Sequence, residues 1–208
     1  MKNKQKRCKW PGNNELSIEY HDKEWGVPLH DDNLLFEYLI LDAFQAGLSW
    51  QTILNKRKNF QKAFHNFNAK KISKYSEKDK SRLLNDSGII RNRLKINSAI
   101  INAQKFLEVQ KEFGSFDKYI WQFTNHKTIH NKFRNISELP AKTKESEKMS
   151  EDLKKRGFKF CGSTICYAFM QAAGMVNDHT TNCFRYKEVK KWENSFTIQE
   201  PLQQRVEK

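Results

Sequence analysis

Lys154-Lys155-Arg156-Gly157-Phe158-Lys159-Phe160-Cys161-Gly162-Ser163-Thr164 is the stretch on which the reading of the fold turns. The residues leading into it, Ser146 to Arg156, are helical by composition, and Gly157 supplies the left-handed conformation that ends a helix. A second helix is predicted from Ser163 to Ala173, with Gly174 behind it. The result is two helices joined by a tight, glycine-bounded hairpin. Such a turn is common in helical proteins, but its chemistry is more particular. Exposed N–H groups at the turn and at the start of the second helix can hold a phosphate, and nearby Lys and Arg side chains add attraction. On that reading Gly157, Lys159, Gly162, Ser163 and Thr164 are candidate DNA-contacting residues, arranged as in helix-hairpin-helix elements.

Outward from the hairpin, apolar residues recur at helical spacing almost everywhere. Leu34 to Phe44 reads as a helix with Gly47 at its stop, and further helices are predicted over Trp50 to Arg57, Phe60 to Phe67 and Glu77 to Asp86. Ser76 and Asp79 form an aspartate version of a capping box at the last of these. A long helix from about Asn92 to Phe113 carries Ile96, Ile100, Ala103, Phe106 and Leu107 on one side and stops at Gly114; a shorter one follows near Phe116 to Phe123. Asn125 to Thr143 has poor periodicity and reads as a connection between two helical halves. No alternating strand run is present. The expectation is an all-α bundle: one domain over residues 1–185, and a charged C-terminal extension over 186–208 with little periodicity beyond Trp192 and Phe196.

Fifteen Phe, six Tyr and five Trp in 208 residues suffice to bury a sizeable interior, despite a mean hydropathy of −0.85. A formal charge of +14 suggests an anionic partner, for which nucleic acid is the usual candidate, although Lys- and Asn-rich composition bias can also produce such a charge. No apolar run approaches the roughly 20 residues of a membrane span, and no secretory signal follows the basic N-terminus, so a cytoplasmic protein is expected. Phosphate loops of the GxxxxGK type, HExxH and GxSxG are absent, which removes the simplest supports for nucleotide hydrolysis, zinc proteolysis and serine esterase chemistry.

Four cysteines without a secretory signal are more readily ligands or buried thiols than disulfides. Cys161 and Cys166 sit among Phe158, Phe160, Ile165 and Phe169 and read as small buried hydrophobes. Cys8 and His21 lie near one end of the chain. His179 and Cys183 lie near the other, at an i, i+4 spacing that predicts one helical face. Two thiolates and two imidazoles would close a tetrahedral, structural zinc site and tie the chain's ends together. The spacing alone equally allows ordinary thiols and hydrogen-bonded histidines.

Separate motifs then fall in a recognisable order. YHDKEWGVP (20–28), QAGLSW (45–50), SGIIRNRLKI (87–96) and KKRGFKFCGSTICYAFMQAAGMVNDH (154–179), together with Cys8 and Cys183, resemble the 3-methyladenine DNA glycosylase I (Tag) family over roughly residues 8 to 183. The resemblance implies a monofunctional enzyme of the helix-hairpin-helix group that flips alkylated bases out of double-stranded DNA, acting as a monomer. It also implies one structural zinc on Cys8, His21, His179 and Cys183. It puts Tyr20 and Trp50 in the base pocket and Asp42 at the position of the family's purine-binding Glu, so these three are the candidate catalytic residues. Trp10 and Phe44 join them as candidate substrate-binding residues; without the resemblance, the aromatics read more simply as core.

The same comparison shows departures. Asp42 replaces the Glu, Phe44 a Gln and Ser17 an aromatic residue. Asn177 stands where the wider group keeps a catalytic Asp, and the position of a nucleophilic Lys falls near Thr164, so no Schiff-base chemistry is expected. An altered base choice, or a non-catalytic module that binds damaged DNA, is the alternative these departures allow.

Overall fold

The computed structural model describes residues 5–196, with side chains as far as residue 191. Its centre is α2 (Asp32–Gln45), in which every residue from Leu35 to Phe44 is buried. A helix buried on all sides must be enclosed by others. Here α3 (Trp50–Ala63), α6 (Arg93–Phe113), α7 (Phe116–Trp121) and α9 (Ser163–Ala172) pack around it. The N-terminal helix α1 (Glu15–Lys23) lies against α3, while α4 (Ala69–Ile72) and α5 (Glu77–Asn85) brace α6.

The starts of these helices follow from local chemistry. Asn14, Asp31, Ser49 and Asn92 each accept a hydrogen bond from the N–H three residues on, as N-caps do. Ser76 and Asp79 form the expected capping box, and Gly114 ends α6 in the left-handed region. The two short helices predicted between Trp50 and Phe67 are one helix as far as Ala63. The buried positions Ile53, Leu54, Phe60 and Ala63 keep helical spacing straight through the polar Lys58 and Asn59. The break comes later, where His65, Asn66 and Phe67 all take positive φ.

Helix α8 (Lys144–Lys155) packs closely on α9. Gly157 between them has φ of 93°. The turn is clasped from α6 by Asn102, whose Oδ1 accepts from the Lys159 N–H at 2.7 Å while its Nδ2 donates to the Lys159 carbonyl at 3.0 Å. The connection expected between Asn125 and Thr143 contains one short strand, β1 (Ile129–His130), paired in parallel with β2 (Val176–Asn177). Among the described residues these are the sole strands, and the fold is overwhelmingly helical. Beyond Cys183 the chain forms α10 (Phe184–Phe196), where Val189 is buried and the Tyr186 carbonyl accepts from Asn177 Nδ2. The boundary expected at residue 185 therefore falls inside a helix; residues 197–208 of the extension lie outside the described residues.

Gly174 lets the chain turn from α9 into β2 at φ of 68°, and a Cβ there would lie 2.2 Å from the Val27 carbonyl carbon. Backbone cannot swing aside as a flexible side chain does. Gly174→Ala is expected to lower unfolding free energy by at least about 2 kcal/mol in urea titrations. Gly162→Ala, at φ of −63° with nothing within 4 Å of the new methyl, should stay within about 0.5 kcal/mol.

Candidate active-site cavity and metal-ligand cluster

Cys8, His21, His179 and Cys183 meet in the interior, all four buried, with their ligand atoms within 4.8 Å of one another. The expectation that His179 and Cys183 share a helical face is not met. They flank a tight turn ahead of α10, closed by the Cys183 N–H donating to the Thr180 carbonyl at 2.7 Å. A turn brings i and i+4 together as effectively as a helix does.

The four ligand atoms could hold one metal ion. Cys183 Sγ lies 3.5 Å from His21 Nε2 and 3.7 Å from His179 Nδ1, and Cys8 Sγ lies 3.7 Å from the same Nδ1. Sulfur and nitrogen at ordinary bond lengths around a tetrahedral zinc stand about 3.6 Å apart. The other ring nitrogens are already engaged: His21 Nδ1 with Asp22 Oδ1 at 2.7 Å and His179 Nε2 with the Trp25 carbonyl at 2.9 Å. Such partners orient imidazoles for a metal. Burial also holds His179 below its usual range, in the neutral form that a metal requires.

Beside this cluster lies a cavity of about 220 Å³ lined by Trp10, Tyr20, Asp42, Gln45, Trp50 and Gln171, with Trp25, Ala168, Ile136 and Leu139 completing its wall. Its aromatic faces are set at angles. Tyr20 stands 5.2 Å from Trp50 and 6.2 Å from Trp10, ring centre to ring centre. Three buried polar atoms here have no partner: Trp10 Nε1, Trp50 Nε1 and Asp42 Oδ2. Buried polar groups are ordinarily satisfied, so two donors and one acceptor around one cavity mark a place for a polar, planar ligand. Asp42 is 1% exposed, and burial alone raises its carboxyl well above the ordinary range.

Of the residues expected at a base pocket, Trp10, Tyr20, Asp42 and Trp50 are brought together, but Phe44 is not among the lining residues. It is wholly buried on another face of α2, its ring packed edge-on against Phe60 and Phe64 at 4.8 and 5.7 Å. Two positions beyond Asp42 on a helix is about 200° around the axis, on nearly the opposite face. Ser17 is also outside the cavity wall, its hydroxyl donating to Gln51 Oε1. Sequence reasoning missed Gln171, which stands at i+3 from Ala168 on α9, and Ile136 and Leu139, which come from a connection without periodicity.

At the α8–α9 turn, Lys154, Lys155, Lys159 and Thr164 are exposed, Gly157, Gly162 and Ser163 are half-buried, and no side chain caps α9 at Gly162. Arg156 is committed inward. It bonds Glu112 at 2.7 Å and Asp152 at 2.9 Å and lies over the Phe113 and Tyr119 rings. The basic helix end therefore offers lysines, not this arginine, to an anion.

The raised Asp42 pKa gives a signed prediction. Its folded value lies above its unfolded one, so its contribution is complete below the unfolded pKa and is lost as pH rises toward the folded value, at up to about 1.4 kcal/mol per unit. Asp42→Asn lacks this loss. The difference in unfolding free energy should therefore shift in the variant's favour as pH is raised from about 5 to about 8; a difference flat with pH would mean that the carboxyl is not desolvated.

The described geometry has close parallels in known proteins. Residues 10–186 match the methyladenine glycosylase family model. The chain is 47% identical over 180 residues to DNA-3-methyladenine glycosylase 1 of Escherichia coli strain K12, spanning 86% of this chain and 96% of that protein. It is 46% identical to DNA-3-methyladenine glycosylase of Haemophilus influenzae Rd, over 85% and 96% of the two chains. The solved 3-methyladenine DNA glycosylase I of Staphylococcus aureus, described for its recognition of 3-methyladenine, superposes with a TM-score of 0.83 at 32% identity, covering 86% of this chain and 95% of that one. By sequence and by fold, the chain belongs to the methyladenine glycosylase family.

Proposed function

We infer that the protein is a monofunctional DNA glycosylase that excises 3-methyladenine from alkylated double-stranded DNA. The observation that carries the reading is the aromatic cavity with Asp42 Oδ2, Trp10 Nε1 and Trp50 Nε1 unpartnered inside it. A base inside a duplex is out of reach of such a cavity, so the nucleotide must be extruded into it. 3-Methyladenine in DNA is a cation and already a good leaving group. The protein therefore needs to hold it, exclude neutral purines and stabilise positive charge on the sugar while water attacks.

Each lining residue suits that task. Tyr20 and Trp50 offer faces for stacking and cation–π attraction, on the order of 0.5–2 kcal/mol per ring. The indole N–H groups donate to ring nitrogens, and the Asp42 carboxyl accepts from the exocyclic amino group. A cationic base favours the ionised carboxylate that the empty cavity opposes, which selects for charge. After α9, where the wider group keeps a catalytic Asp, this chain has the neutral Asn177, and the neighbouring Asp178 accepts from Tyr167, Gln171 and Asn131. A leaving group that departs unaided needs no general base.

The remaining assignments belong to the same reading. Cys8, His21, His179 and Cys183 would hold one zinc, whose closed shell supplies structure and leaves no position for water. The α8–α9 turn acts as a helix-hairpin-helix element, with Gly157, Lys159, Gly162, Ser163 and Thr164 against a DNA phosphate. The protein works as a cytoplasmic monomer, and the activity resides in the helical domain, in which α10 is packed.

The test is base release from duplex DNA treated with a methylating agent, with products separated by chromatography. Wild type should release 3-methyladenine and leave adenine and 7-methylguanine in place. Asp42→Asn should lower the rate roughly tenfold or more, since a charge-assisted hydrogen bond contributes about 1.5–3 kcal/mol and about 1.4 kcal/mol is a factor of ten. Asp42→Glu should retain or raise it. Release by Asp42→Asn at the wild-type rate would remove Asp42 from base recognition, and no release by wild type would favour the non-catalytic alternative.

A further inference from the structure

Lys95 is a buried cation without an anion. It sits in the first turn of α6, is 6% exposed, and pairs with no carboxylate among the described residues. Its ammonium instead donates to the carbonyls of Phe44, at 2.8 Å, and Ala46, at 2.6 Å. These two carbonyls belong to the end of α2 and the residue that follows it, where a helix runs out of N–H partners and its dipole favours positive charge. The chain then turns sharply. Ala46 leaves helical geometry, Gly47 takes φ of 77°, the Leu48 N–H returns to the Gln45 carbonyl, and Ser49 caps α3.

That four-residue joint divides the cavity wall. Asp42 and Gln45 stand on the last turn of α2, before it, and Trp50 is the first residue of α3, after it. The separation of Asp42 from the Trp50 ring is set by the bend between these helices. At Gly47 the bend faces open space, since a Cβ there would meet no atom within 4 Å. On the inner side Lys95 is the side chain that bonds to it.

We propose that Lys95 is a positioning residue for base recognition: its ammonium, held by the Phe44 and Ala46 carbonyls, locks the α2–α3 joint so that Asp42 and Trp50 face one ligand. Lys95 does not touch the base. It acts through the backbone, as supporting groups behind a preorganised site do, where an ångström of misplacement is costly. The role rests on the cavity being the base site.

Three substitutions test it: Lys95→Met, which keeps the length and loses every donor; Lys95→Gln, which keeps an amide donor; and Lys95→Arg, which keeps the charge. Each is titrated by tryptophan fluorescence with free 3-methyladenine and, separately, with a duplex carrying an abasic-site analogue, which fills the DNA surface but not the base cavity. Lys95→Met should weaken 3-methyladenine binding roughly tenfold while duplex affinity stays within about twofold, and Lys95→Arg should recover most of the loss. If Lys95→Met gives no cooperative melting transition, the ratio is read from Lys95→Gln, whose uncharged nitrogen sits one atom nearer the backbone and so cannot hold both carbonyls in place, with a smaller loss of 3-methyladenine binding expected. Wild-type affinity for 3-methyladenine in the folded donor-deficient variant, or equal losses for both ligands, overturns the proposal. A wild type that fails to bind 3-methyladenine overturns the reading of the cavity as well. A wild type that binds it beside an unaffected variant overturns the role of Lys95 alone.

Discussion

The joining of the chain's two ends around Cys8, His21, His179 and Cys183 is the constraint on which the rest depends. The cluster and the cavity are built from sequence neighbours: Trp10 lies two residues from Cys8, and Tyr20 immediately precedes His21. The Trp25 carbonyl, next to the cavity ring of the same residue, orients His179. A Cβ on Gly26 would lie 3.1 Å from the His179 ring, so the backbone passes this point at close range. Residues 5–14 form no helix and have little core of their own. Trp10 is held at the cavity by the packing of its ring on Tyr20, His21 and Trp25, and the segment before it is tied down by Cys8 in the cluster and by Arg7 on Asp22.

The interior treats its carboxylates in two ways. Glu37 is buried yet paired, its Oε1 accepting from Arg57 at 2.6 Å and Gln61 at 3.1 Å, and Arg57 also reaches Glu24, to which the Tyr38 hydroxyl donates. Asp178 has three donors. Asp42, on the same helix as Glu37, has one oxygen wholly unsatisfied. Removing water from an unpaired carboxyl costs stability unless it stays protonated, and a fold that satisfies its other buried acids leaves this one for a ligand. The Glu-to-Asp difference from the family shortens the side chain without supplying a protein partner.

Much of this was legible in the sequence because local rules fix it. The bounds of α6 follow from Asn92 and Gly114, the start of α5 from Ser76 and Asp79, and the buried state of Cys161 and Cys166 from their aromatic neighbours. The cluster's membership was available from residue type and order, though its geometry was not, since His179 and Cys183 meet across a turn. Other features depend on tertiary packing. Whether Phe44 faces cavity or core depends on which side of a wholly buried helix meets α9, and an all-apolar pattern carries no phase. Arg156 looks like a free cation until Glu112, 44 positions away, comes within 2.7 Å. Ile136 and Leu139 reach the cavity from a segment with no period to read.

A metal held by the four ligands would fix the two ends of the described chain together and so keep the aromatic wall of the cavity in place. Metal analysis of protein purified without chelators, combined with fluorescence titration by 3-methyladenine before and after chelation, tests it most directly. One zinc per chain is expected, with zinc removal weakening base binding and lowering the melting temperature together, as when metal binding and folding are coupled. Protein that carries no zinc, or that binds 3-methyladenine equally well once stripped of it, would show that no metal closure supports the cavity.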